Sequence, residues 1–191
     1  MASPRQNEQN FPCRALALTE NHRGEKMKRK NLVTSVVLTI LVFTMVAAVP
    51  AFSQNDLAQV REATAQFHRP QSAQAAGYDL VPGLDYCFKN PGIGAMGYHY
   101  INTGILDTTV ELLRPEAMVY APGPDGILQL AAVEYIVPAA LWDAENSELP
   151  MLLGRHFHLN ANLGVYVLHA WIWKNNPSGM FEDWNPTVSC P

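Results

Sequence analysis

The sequence predicts an α+β fold: an N-terminal helix or two, followed by an antiparallel β-barrel-like or sandwich sheet. Three observations point there. Leu57, Val60, Thr64 and Phe67 recur at spacings of three and four, one apolar stripe of helical period. Downstream of residue 78, segments rich in β-branched and aromatic residues are cut apart by clusters of Pro, Gly and Asn. The turn between two of them, Ala121-Pro122-Gly123-Pro124-Asp125-Gly126, is of hairpin type, which makes the neighbouring strands antiparallel.

Not all 191 residues belong to that fold. Met27-Lys28-Arg29-Lys30 is a basic cluster, residues 32–49 are an apolar run, and Ala51 and Ser53 stand in a small-x-small arrangement. Residues 27–53 therefore read as a secretory signal peptide cleaved after Ser53. The competing reading is an uncleaved membrane anchor, because the apolar run matches the shortest spanning helices. The small residues favour cleavage, so no stable anchor is expected afterwards and the destination is periplasm or medium. Residues 1–26 are polar and aperiodic, and read as an extension from a mis-called start; Cys13 goes with them. What remains is a helical segment, 54–77, and a β-rich segment, 78–191, one domain around one core.

Residues 54–191 carry fourteen acidic and six basic side chains, a formal −8 against −4 for the whole chain. Such a surface repels phosphate backbones, so nucleic acid is excluded as a partner. Two cysteines are left, Cys87 and Cys190. In an exported protein they read as a disulfide that ties the C-terminus to the start of the β-rich segment. Closing a loop of about a hundred residues would stabilise the fold by around 4 kcal/mol. A pair of thiolate metal ligands is the competing reading, although the two lack the close spacing of such sites.

In order, Asn55 is the expected N-cap of the first helix and Pro70 its end or kink. Residues 71–77 form a second short helix stopped by Gly77. Val81-Pro82-Gly83 and Asn90-Pro91-Gly92 are turns around Cys87, and the later glycines lack the strand-turn-helix context of a phosphate loop. Residues 96–101 are a strand with His99 opposite in direction to Tyr98 and Tyr100. Residues 106–115 are a short helix or loop. Residues 116–120 and 128–137 form the hairpin that carries Glu134, and 139–149 read as an acidic surface loop. In 156–158 an extended chain would put His156 and His158 on one face, a pair able to grip one ion. After a turn at 160–164, residues 165–173 form the last strand, with Val165, Val167, His169, Trp171 and Trp173 on one face.

His99, Glu134 and His169 are the candidates for chemistry. Each lies inside an expected strand, where burying an unpaired charge is costly, and each would explain the others if they met. Two imidazoles and a carboxylate, with a third histidine from His156 or His158, suit a zinc, iron, copper or manganese ion. This set is like that of cupin-type barrels in ligand type, though not in spacing. The competing reading is structural: hydrogen-bonded core histidines, with Glu134 paired to one of them or to Arg155. His68 reads as a surface or helix-end histidine. Trp171, Trp173, Phe181 and Trp184 read as core, or else as an exposed shelf for a sugar or hydrophobic ligand. Asn175, Asn176 and Asn185 read as turn builders. Ser178 lacks a nucleophile-elbow sequence and gives a hydrolase triad little support.

These stretches carry a resemblance. ATAQFH at 63–68, AAGY at 75–78, GAMGYHY at 94–100, RPEAMVY at 114–120, VEYIVP at 133–138, LHAWIWKNNPSGMF at 168–181 and WNPTVSC at 184–190 together resemble a family of small exported bacterial proteins with no assigned activity. The resemblance spans nearly the whole of 54–191. It implies that His99, Glu134 and His169 are motif positions; the H-F-H at 156–158 matches less securely. Two functional classes follow: a metal-binding exported protein, enzyme or not, and a metal-free, disulfide-stabilised extracellular module whose aromatic C-terminal surface takes a small ligand.

Overall fold

The computed structural model describes residues 54–191, and the expected extension, signal segment and cleavage point lie outside them. Helix α1 (Gln54–Thr64) runs into a 3-10 turn (Ala65–Phe67), and α2 (Pro70–Ala75) follows with Pro70 in its first turn. Asn55, expected as a cap, lies inside α1. Gly77 ends α2 as expected, at φ 91, a conformation open to glycine.

The strands are β1 (Asp79–Leu80), β2 (Phe88–Asn90), β3 (Gly94–Ile101), β4 (Ala117–Pro122), β5 (Leu128–Pro138), β6 (Met151–Leu152), β7 (Arg155–His156), β8 (His158–Asn160) and β9 (Val165–Ala170). Seven of them build one antiparallel sheet in the order β1-β3-β4-β5-β9-β8, with β2 beside β1 on the outer edge of β3. Strands β6 and β7 form a separate ribbon. The main sheet is open: it closes into no barrel and stacks on no second large sheet. Its edges are strands of two or three residues, too short to pair with each other around a closed wall.

The two faces are covered differently. Val133, Tyr135 and Val137 of β5 point with Tyr100, Tyr120 and Leu168 toward the helices, where Val60 and Ala73 complete the main core. On the opposite face, Val119, Ala121 and Ala132 pack under Trp171 and Val188 from the C-terminal tail. Further along, Ala117, Ile136 and Val167 form a third apolar group with Ile101, Leu106 and Val165.

Two local expectations are corrected. The last strand stops at Ala170 and not at 173, because the Trp171 N–H donates to the Met180 carbonyl while Trp173 and Lys174 both donate to that of Ala131. Trp173 consequently leaves His169's face and packs against the helices, its indole N–H bonded to the Thr64 hydroxyl. The expected acidic loop at 139–149 begins with a helix, α3 (Ala139–Glu145), started by Pro138. Its Trp142 packs on the main core, so the segment buries one face despite its charge.

The tail is held in place by backbone. Ala95 and Asn185 exchange hydrogen bonds at 3.1 and 3.0 Å, and a Cβ on Gly94 would collide with the Asn185 carbonyl. Only glycine allows that approach. The Asn185 and Asn176 side chains accept from Thr187 N–H and Ser178 N–H, the turn-building role expected of them. Cys87 and Cys190 are disulfide-bonded with Cα atoms 5.7 Å apart, closing a span of 103 residues.

Glu116 is a buried carboxyl that the strand pattern does not reveal. It is 3% exposed and its Oε2 accepts the Ile136 N–H at 2.9 Å. Burial pushes it up from 4.5 to about 7, against the pull of its backbone hydrogen bonds. A carboxyl raised in the folded state contributes stability that is present below its unfolded pKa and lost as pH rises through the folded one. Glu116→Gln keeps the acceptor and removes the ionisation. Measured by denaturant unfolding, the variant's stability relative to wild type should rise by about 2–3 kcal/mol between pH 4.5 and pH 8. A difference independent of pH would refute this account.

Candidate metal centre

His99, Glu134 and His169 come from three strands and share one sheet face. Glu134 and His169 face each other directly in the β5–β9 register. His99 is on β3, beyond β4, opposite Val119. The residue of β4 that pairs with Glu134 is Ala117, whose methyl leaves space above the strand for the imidazole to reach across. Gly97, at φ 112, lets β3 approach β4 closely, since any Cβ there would collide with the Tyr120 carbonyl.

The three residues are 5%, 6% and 1% exposed, and one donor atom from each lies within 4.8 Å of the others. The two imidazole Nε2 atoms are 3.2 Å apart. Glu134 places Oε2 3.5 Å from His99 Nε2 and Oε1 3.3 Å from His169 Nδ1. Two nitrogens bound to one zinc ion at about 2.0–2.1 Å in tetrahedral geometry stand about 3.3 Å apart, so the spacing is that of ligands on one centre. Hydrogen bonding within the protein accounts for these groups only in part: the two Nε2 atoms are within hydrogen-bond reach of each other, Nδ1 of His99 is buried without a partner, and Nδ1 of His169 is approached at 3.3 Å by the Glu134 and Asp183 carboxylates. Arg155, a potential structural partner for Glu134, instead lies over the Phe181 ring at 5.4 Å.

The electrostatics prepare unequal groups. Burial, helped by the neighbouring His169, pushes His99 down to about 3, so its ring is neutral with a lone pair to offer. Burial raises Glu134. Burial also opposes charge on His169, but the Glu134 and Asp183 carboxylates outweigh it and raise its pKa.

Asp183 was not among the residues singled out in the sequence. Its Oδ1 lies 3.3 Å from His169 Nδ1 and its Oδ2 lies 3.0 Å from His158 Nε2. Burial resists its ionisation, yet the two histidines hold it well below the usual carboxylate range. His158, expected as a ligand, sits at this outer position, half exposed, with its pKa raised by the Asp183 hydrogen bond. It faces the site because it pairs with Val167 at the edge of the main sheet. His156 does not join it: the chain turns at buried Phe157, and His156 lies exposed in the separate ribbon. Among the described residues, the buried set able to hold an ion is His99, Glu134 and His169.

The other candidates lie apart. His68 is exposed and edges onto Trp173, with ring centroids 4.4 Å apart. Trp171 is buried, with its indole N–H bonded to the Glu182 carbonyl. Of the four C-terminal aromatics, Trp184 lines the cavity beside the centre. Ser178 is exposed in a turn. That cavity measures about 480 Å³, with His99, Glu134, His169, His158 and Asp183 in its wall.

No family model matches the chain, and comparison with curated proteins and with solved structures finds no match. The site is therefore judged on its own geometry.

In metal-free protein, long-range proton–nitrogen NMR should show His99 neutral from pH 8 down to its folded value of about 3. His169 should hold its proton beyond the ordinary histidine range. A His99 ring that titrates near 6.5 would refute this environment.

Proposed function

We propose that this chain is an exported, disulfide-closed protein that binds one divalent transition-metal ion through His99, Glu134 and His169. The convergence of these three buried donors carries the reading, with two imidazole nitrogens facing each other at 3.2 Å and Glu134 paired with the two histidines. A carboxylate buried beside the neutral His99 ring is costly alone and well compensated by a cation.

Zinc, iron, copper and manganese all accept this donor set. Three protein ligands leave at least one position for water or substrate, the arrangement of catalytic zinc and of non-haem iron sites. Bound there, the ion would supply Lewis acidity to whatever fills that position. Around it, Asp183 orients His169 through Nδ1, as carboxylates behind metal-bound histidines do, and His158 holds Asp183 in place.

Export is supported by the basic-apolar-small pattern of residues 27–53 and by the motif resemblance. The Cys87–Cys190 bond adds to this, since disulfides persist in oxidising compartments. Among the described residues no helix is long and apolar enough to cross a membrane.

The test is elemental analysis of protein purified without a histidine tag, before and after reloading with each metal. A single equivalent should bind. His99→Ala, Glu134→Ala and His169→Ala should abolish it, while Asp183→Asn should weaken affinity by about 10- to 100-fold. His156→Ala should change nothing. Folded protein that takes up no metal, or takes it up equally in the three alanine variants, would end the proposal.

A further inference from the structure

We infer that the cavity beside this centre takes an aliphatic carboxylate: a hydrocarbon chain laid along the sheet, with its carboxylate head at the metal. The inference rests on the metal reading and adds a ligand class to it.

The strand register grades the cavity floor. Ile101, Ala117, Glu134 and His169 stand in one row across the sheet, His99 stands one row back opposite Val119, and two residues further along β5 and β9 stand Ile136 and Val167. The next step along β9 is Val165, opposite Pro138. His169 to Val165 is four residues, a floor of about 13 Å that is polar at one end and apolar beyond. Behind that row, on the side of His99, the tail closes the floor, where Trp171 and Val188 pack on Ala132 and Val119. A ligand therefore has one direction in which to extend.

The walls are mostly apolar, with Thr103, Asn160 and Asn162 among them. Val81, Leu84 and Leu106 line the cavity, and Tyr86 and Leu163 do so while 52% and 47% exposed. Apolar side chains left open around a buried polar cluster mark a ligand site and not a finished core. The volume, about 480 Å³, corresponds to about fifteen non-hydrogen atoms at the share that a water occupies in the liquid.

Charge selects the head. With a divalent ion on two neutral imidazoles and Glu134, one positive charge is left over at the centre, while Asp183 lies behind His169 and 3.0 Å from His158. An anion neutralises that excess; an alcohol of the same length does not. A chain with a cationic head is opposed by it.

Dodecanoate matches this size. Calorimetric titration of the zinc-loaded full chain should show it binding at one site, with dodecanol, or dodecanoate on metal-free protein, at least roughly tenfold weaker. Leu163→Glu, at a half-exposed rim position, and Ile136→Trp, in the floor, should each weaken dodecanoate by a similar factor and leave zinc affinity unchanged. If zinc binds and dodecanoate does not, or if both variants bind it as wild type does, the ligand inference fails and the metal reading stands. If zinc fails to bind while dodecanoate binds the metal-free protein, the metal reading falls, and the metal-held head with it. Equal binding of dodecanol and dodecanoate overturns the choice of head.

Discussion

Burying Glu134 in the middle of a sheet sets the terms for much of this structure. A carboxylate there has lost its water, and it pairs with two imidazoles that are themselves buried. The β5–β9 register fixes one of them opposite it, and a one-residue slip would carry Glu134 to the helix-covered face. His99 needs more: a methyl at Ala117 to reach over, and a close β3–β4 approach that Gly97 permits.

The surroundings hold that arrangement in place. Tyr120 and Tyr135 donate their hydroxyl protons to the Phe67 and Leu112 carbonyls, pinning helix and loop to one face. On the other face the tail crosses Gly94, and its backbone exchange with Ala95 delivers Asp183 behind His169. The disulfide then fixes the end of the tail to the start of β2. By the loop-entropy argument a closure of this length stabilises the fold by about 4–5 kcal/mol. The same covalent tie that secures the fold thus limits how far Asp183 can move.

The part of the site carried by regular strands was legible in the sequence. His99, Glu134 and His169 stood out because ionisable residues are rare in β-branched and aromatic strands, and a period of two says which face they take. Asp183 was not legible, because a carboxylate in a loop attracts no notice until the tail is seen folding back. An H-x-H pattern points to His156 and His158 as joint ligands only on a continuous strand, and buried Phe157 breaks the strand between them. The α+β class and the hairpin around Ala121–Gly126 followed from local pattern and turn chemistry. Closure into a barrel did not, since it depends on whether short edge strands meet. Helix α3 was hidden by acidic residues that lie on its solvated side, and the end of β9 by the Trp171 N–H, which finds its partner at Met180 outside the sheet, and by Trp173 and Lys174, which both turn to the one Ala131 carbonyl.

The central claim is that three groups buried from different strands share one ion. X-ray absorption at the edge of the bound metal addresses it directly. The account predicts nitrogen and oxygen neighbours at about 2.0–2.2 Å, with the outer-shell scattering of two imidazoles that falls to one in His99→Ala. A shell of oxygens without imidazole scattering, or a spectrum unchanged by that substitution, would contradict it.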